Sequence, residues 1–188
     1  VAKVPVVIQL EALECGAACL TMVLAYYSKW IPLEQVRSDC GVSRDGSNAL
    51  NLLKAARSYG LVAQGYRYEP EALRQKGTFP CIIHWNFNHF VVLCGFKKDK
   101  AILNDPSRGR VAVSMEVFDK AFTGICLTMK PGGDFVAGGK PKSTIAFARR
   151  KLTGAGAAFA LVVITTVITS LIGIITPGFS NVFADRLL

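Results

Sequence analysis

Imidazole is scarce in this sequence: among 188 residues only His84 and His89 carry it. Any reaction that needs a histidine base must use one of those two side chains. Metal-ligand spacing is missing as well. Of the six cysteines, Cys15 and Cys19 share a helix face, but no Cys-x-x-Cys pair or nearby His/Cys cluster completes a site. Acid is also in short supply, with 13 Asp and Glu against 22 Lys and Arg, a formal charge of +9. The excess is uneven: Lys140, Lys142, Arg149, Arg150 and Lys151 crowd in front of a long uncharged stretch, and elsewhere the signs are interspersed. That distribution fits a membrane surface better than a nucleic-acid groove. No RNP-like aromatic motif, zinc-finger spacing or base-reading basic helix occurs, so no nucleic acid is expected as a partner. A phosphate loop is lacking too. Gly133 and Gly138 are followed by Gly139 where Lys is required, and Lys140 by Pro141 where Ser or Thr is required. No metal, nucleotide or other cofactor is expected in this segment.

Charge itself disappears between Leu152 and Ala184. As a helix, the stretch up to Thr176 would measure about 37 Å, against a hydrocarbon core of about 30 Å. A membrane span over residues 152–176 is expected, with Pro177 kinking it or marking its exit. Its position at the far end of the chain excludes a signal peptide. Arg149, Arg150 and Lys151 flank its start, and the positive-inside rule then puts the preceding residues in the cytoplasm. One span cannot enclose a transport path, so the natural chain is expected to continue. The Gly- and Pro-rich run PGGDFVAGGKPK before the span reads as a linker. This predicts a globular domain over residues 1–130, a linker over 131–147 and a first transmembrane helix over 148–188. Gly132-Gly133 and Gly138-Gly139 read as flexible spacer.

The remaining residues divide into helices followed by strands. CGAACLTMVLAYYSKW, from Cys15, is apolar nearly all round and predicts a buried central helix. Shorter helices are expected at Leu33 to Asp39 and at Asn48 to Tyr59, the latter with Ser47 as N-cap and Gly60 as its stop. Short β-branched or aromatic runs follow at Leu61 to Tyr68, Pro80 to Trp85, His89 to Phe96, Ala101 to Asn104, Arg110 to Val113 and Ile125 to Lys130. A helix capped by Ser114, Met115 to Phe122, interrupts them. The pattern is α+β, with helices packed on an antiparallel sheet. Cys81, Cys94 and Cys126 fall in apolar runs and read as buried free thiols, consistent with a reducing cytosolic setting.

Cys15 occupies the first turn of its helix, where unpaired N–H groups and the dipole favour a thiolate. Gly16, Ala17 and Ala18 leave the surface beside the sulfur open. Gln9, upstream, can donate an amide hydrogen bond to a developing oxyanion. The odd separation of His84 and His89 puts them on opposite faces of one strand, unless Asn86 to Asn88 form a turn. His89 opens the strongest strand, and a hairpin at Lys97 to Lys100 brings Asp105 back towards it, where a carboxylate can orient an imidazole. His84 reads as structural. Trp85, Phe87, Tyr66 and Tyr68 are candidate substrate-binding residues.

QLEALECGAACLTMV from Gln9, HFVVL at His89 and NDP at Asp105 together resemble the papain-like peptidase domains of bacterial peptidase-containing ABC exporters, which remove double-glycine leaders from bacteriocins and lanthipeptides. The resemblance covers approximately the first 130 residues. It implies a thiol endopeptidase in which Cys15 attacks after Gly-Gly, His89 is base and then acid, Asp105 orients His89 and Gln9 stabilises the oxyanion. It also implies a precursor whose amphipathic helical leader ends in Gly-Gly, a homodimeric full exporter in the bacterial cell membrane, and ATP with magnesium only on an ATPase domain outside this segment. A catalytically silent docking module that only binds the leader is the alternative; the joint presence of Cys15, His89 and Asp105 argues for activity.

Overall fold

The computed structural model describes residues 1–42, 46, 48–141 and 156–187, with side chains of the last helix described as far as Ile174. They form two units, Val1–Lys140 and Pro141–Leu188.

In the first unit a 3-10 turn, Ala12–Glu14, runs into α1 (Cys15–Tyr26), followed by α2 (Leu33–Asp39) and α3 (Ala49–Ser58). Then come β1 (Leu61–Arg67), α4 (Pro70–Lys76), β2 (Cys81–Trp85), β3 (His89–Lys97), β4 (Lys100–Asp105), β5 (Gly109–Ser114), α5 (Met115–Ala121) and β6 (Phe122–Pro131). The strands make one antiparallel sheet in the order β1-β6-β2-β3-β4-β5. Every residue of α1 from Cys15 to Ala25 is buried, as an all-round apolar helix requires. Its side chains share a core with α3 and with Ile82, Phe90, Val92, Leu127 and Met129, which alternate along one sheet face. The opposite face carries a second core of Ile83, Trp85, Val91, Leu93, Leu103 and Cys126 around Phe118 of α5. All six cysteines are buried and free.

Several local expectations shift. The N-cap of α3 is Asn48, whose side chain accepts from the Asn51 N–H at 2.8 Å; Ser47 lies outside the described residues. Helix α4 adds a helix to the expected set, and Pro70 at its first position is its start signal. Asn86 and Phe87 both take positive φ in the turn that pairs Trp85 with His89, so the two histidines belong to separate strands.

The expected end of the globular domain at residue 130 needs correction. Beyond β6 the chain returns to the first unit: Gly132 N–H donates to Gly60 O at 3.0 Å, Trp30 N–H to Gly138 O at 2.7 Å and Gly138 N–H to Ser28 O at 3.1 Å. Phe135 lies edge-on to Tyr27, with centroids 6.3 Å apart. Glycine here serves close approach as well as flexibility. A Cβ on Gly139, which has φ +80°, would stand 2.3 Å from Trp30 O.

In the second unit α6 (Gly156–Leu187) runs past Pro177, which therefore does not end it. Its Gly156–Ile174 segment, with a mean hydropathy of 2.4, is long and apolar enough to cross a membrane. Arg149, Arg150, Lys151 and the expected start of the span at Leu152 lie outside the described residues.

Candidate active site

Three elements converge at one end of the sheet. Cys15 is the first residue of α1, His89 opens β3, and Asp105 closes β4. The β3–β4 hairpin, turning between Lys97 and Lys100, carries Asp105 back to the imidazole. His89 Nε2 donates to Asp105 Oδ1 at 2.9 Å. With Nε2 so engaged, Nδ1 is the ring nitrogen left for Cys15, with which His89 interacts electrostatically.

The electrostatics follow from those contacts. Burial pushes the Cys15 thiol up, but the His89 ring, the backbone N–H groups of Phe90 and Gly16 and the charge on His89 outweigh it, and the thiol falls below its ordinary value. The bond to Cys15 raises His89; burial opposes this, and the Asp105 carboxylate adds to the rise. Asp105 is pushed up by its own burial but held below the ordinary carboxylate value by His89 and Ser107. Ser107 donates twice to Oδ1, from its N–H at 2.8 Å and its hydroxyl at 2.7 Å. The arrangement favours a thiolate–imidazolium pair, with a carboxylate fixing the ring.

Two cavities lie at these residues, one at Cys15 and one at His89 and Asp105. One, about 340 Å³, is lined by Cys15 together with Leu13, His84, Phe87, Phe90 and Ile125. The other, also about 340 Å³ and more polar, is lined by Gln9, His89, Asp105, Ser107 and Arg108. Gln9 therefore stands on the same side as the imidazole. Of the four aromatic candidates, Phe87 is 79% exposed and walls the first cavity. Trp85 borders the second cavity, but its ring is buried against Phe118. Tyr66 and Tyr68 pack against one another with tilted rings and line neither cavity. Tyr66 is paired with Cys126, on the sheet face turned away from α1.

Sequence reasoning missed several participants. His84 is in the Cys15 cavity, with Nδ1 3.0 Å from Thr123 Oγ1; burial and the charge of His89 lower it below the ordinary imidazole value, so it is unsuited to replace His89 as a charged partner. Ser107 could have been suspected, because an Asp followed two residues later by Ser is the pattern of an Asx turn. The donation from the Phe90 backbone had no sequence signal.

A thiol at the start of a buried central helix, served by an imidazole and a carboxylate from the facing sheet, defines a papain-like cysteine peptidase. The chain belongs to the peptidase C39 family, whose model matches residues 3–134. Among its relatives, the probable microcin-H47 secretion/processing ATP-binding protein MchF of Escherichia coli is 38% identical over 135 residues, covering 72% of this chain and 19% of the relative. The colicin V secretion/processing ATP-binding protein CvaB of the same species is 38% identical over 133 residues, covering 71% and 19%. The chain thus spans about a fifth of the length of these curated relatives. Among solved structures, a double glycine motif protease from an AMS/PCAT transporter in complex with the leader peptide is 75% identical, with a TM-score of 0.68, covering 69% of this chain and 93% of that one. The peptidase domain of Streptococcus ComA, 24% identical with a TM-score of 0.63 and covering 66% and 96%, shares the fold.

Proposed function

We propose that this chain is the processing segment of a peptide exporter, a thiol endopeptidase that cuts a ribosomal precursor after Gly-Gly before the product is exported. The observation that carries the reading is the His89–Asp105 hydrogen bond set beside Cys15 at the start of α1, with Cys15 and His89 shifting each other towards the charged pair, supported by the 75% identity to a double glycine motif protease solved with its leader. In this reading the Cys15 thiolate attacks the carbonyl of the second glycine, and Gln9 with the backbone N–H at the start of α1 receives the oxyanion. The His89 imidazolium gives its proton to the departing amine, leaving a thioester on Cys15. Water, deprotonated by the same imidazole, releases the leader acid and restores the thiol. Because the leaving amine must meet His89, the polar cavity beside His89 takes the mature peptide. The Cys15 cavity takes the leader end, with Phe87 as a wall and exposed Leu13 and Ile125 offering apolar contact to an amphipathic helix.

Residues 1–140 act as the peptidase and Gly156–Ile174 as the first membrane span, with the peptidase on the cytoplasmic side, where the thiol stays reduced. ATP and magnesium act on a part of the exporter beyond this segment, and the full exporter works as a homodimer. The test is cleavage by the 188-residue chain in detergent of a synthetic precursor with an amphipathic leader and Gly-Gly, followed by intact mass. Wild type is expected to release the leader with Gly-Gly at its new C-terminus, Cys15→Ala to bind without cutting. A wild type that binds the precursor and never cuts it would establish a docking module instead.

A further inference from the structure

An oxyanion donor must be held to within about 0.5 Å of its productive position, yet no helix or strand holds Gln9. Its backbone N–H donates to Pro106 O at 2.9 Å, which ties one side of it to the loop after Asp105. The side chain itself is poorly anchored. Nε2 reaches Ala12 O only at 3.5 Å, and the buried Oε1 has no partner among the described residues. The amide therefore inherits its position from the backbone on either side.

The backbone on the second side is closed by Glu14, which stands immediately before Cys15 and is 3% exposed. Glu14 Oε2 accepts from the N–H of Leu10 at 3.0 Å and of Glu11 at 3.1 Å. Oε1 receives Arg37 Nη1 of α2 at 2.8 Å, and the other arm of Arg37 reaches Glu11 Oε2 at 2.9 Å. Three donors thus converge on one buried carboxylate. An uncompensated negative charge this close to the nucleophile would oppose the thiolate; Arg37 compensates it, which leaves the carboxylate a positional role.

We propose that Glu14 is the positioning residue for the oxyanion donor: its carboxylate locks residues 9–11 to the first turn of the nucleophile's helix, with Arg37 as its counter-charge, so that Gln9 and Cys15 move as one unit. The proposal rests on the reading of Gln9 given above, and its test separates the two. Gln9→Ala, Glu14→Ala, Glu14→Gln, Arg37→Gln and the Gln9→Ala/Glu14→Ala double variant would be prepared in the 188-residue chain. Each is assayed for kcat and KM on the synthetic double-glycine precursor, and for alkylation by iodoacetamide, which consumes the thiolate without forming an oxyanion.

Glu14→Ala is expected to lose about 10²-fold in kcat, the scale of one oxyanion donor, with KM changed by less than about threefold and alkylation unchanged. Glu14→Gln keeps an acceptor oxygen for the two N–H groups and recovers roughly tenfold of that loss; the double variant is no slower than Gln9→Ala alone. Should Glu14→Ala fail to fold, Glu14→Gln carries the test, expected to lose about 10-fold in kcat at unchanged alkylation, whereas Arg37→Gln, which leaves the Glu14 charge uncompensated beside Cys15, is expected to lose kcat together with slower alkylation. Gln9→Ala impaired with every Glu14 and Arg37 variant at wild-type kcat overturns the positioning role alone. Gln9→Ala unimpaired overturns the oxyanion reading and the proposal with it. Parallel loss of kcat and alkylation in the Glu14 variants, or additive losses in the double variant, would mean that Glu14 supports the fold and not Gln9.

Discussion

Replacing Asp105 separates orientation of the imidazole from binding of the precursor. The carboxylate takes three hydrogen bonds, one from His89 Nε2 at 2.9 Å and two from Ser107, and the His89 and Asp105 side chains are only 19% and 11% exposed. A charge-assisted bond at such a site is worth about 1.5–3 kcal/mol. The sign follows from the contacts: Asp105 and Cys15 raise His89, so removing the carboxylate lowers it. In a thiolate–imidazolium pair the acid limb of the rate profile reports formation of the thiolate and the alkaline limb loss of the imidazolium proton, both as properties of the pair. Asp105→Ala should therefore draw the alkaline limb of kcat/KM to lower pH. It should also reduce kcat about 10- to 100-fold and leave KM within about threefold. Asp105→Asn keeps an acceptor for His89 and Ser107 but loses the charge, and should fall between the alanine variant and wild type. The assay is steady-state cleavage over roughly pH 5 to 10, where thiols and imidazoles titrate, with thermal unfolding as a control. An alkaline limb that stays in place, or a KM that rises as much as kcat falls in a folded protein, would refute the orienting role.

Phe87→Ala should raise KM for the precursor by about 10-fold, the worth of one apolar side chain in a pocket wall, with kcat little changed; Tyr66→Ala, which touches neither cavity, should leave both constants unaltered. Phe118→Ala removes a fully buried ring from the second core and should cost about 3–5 kcal/mol in denaturant unfolding of the first unit. Gly139→Ala forces a Cβ to 2.3 Å from Trp30 O at φ +80° and should release residues 132–140 to limited proteolysis, whereas Gly133→Ala, with nothing within 4 Å of the added Cβ, should not. Equal protease resistance of the two glycine variants would show that the returning segment is not held by that close approach.

Much of this molecule was legible one residue type at a time. With only two imidazoles, the base was confined to His84 or His89; an apolar run opening on Cys-Gly-Ala-Ala fixed the buried helix and put the thiol at its first turn. The strands of the sheet could be read because alternation and turn residues are local signals. What stayed illegible depended on contacts between distant segments. Whether a Gly-rich run is a spacer or packs against the fold depends on what approaches it, and Trp30 and Gly60 approach the run after β6. Whether a strand tyrosine faces the site depends on which sheet face the nucleophile's helix covers, and that face is not the one bearing Tyr66. The sequence alone determined the chemistry available, a thiol, an imidazole and a carboxylate on the ends of three predicted elements. Only the tertiary structure decided that the ends meet, and that Glu14 and Arg37 close the loop carrying Gln9, because a charge-paired carboxylate beside the nucleophile has meaning only once α2 is packed against it.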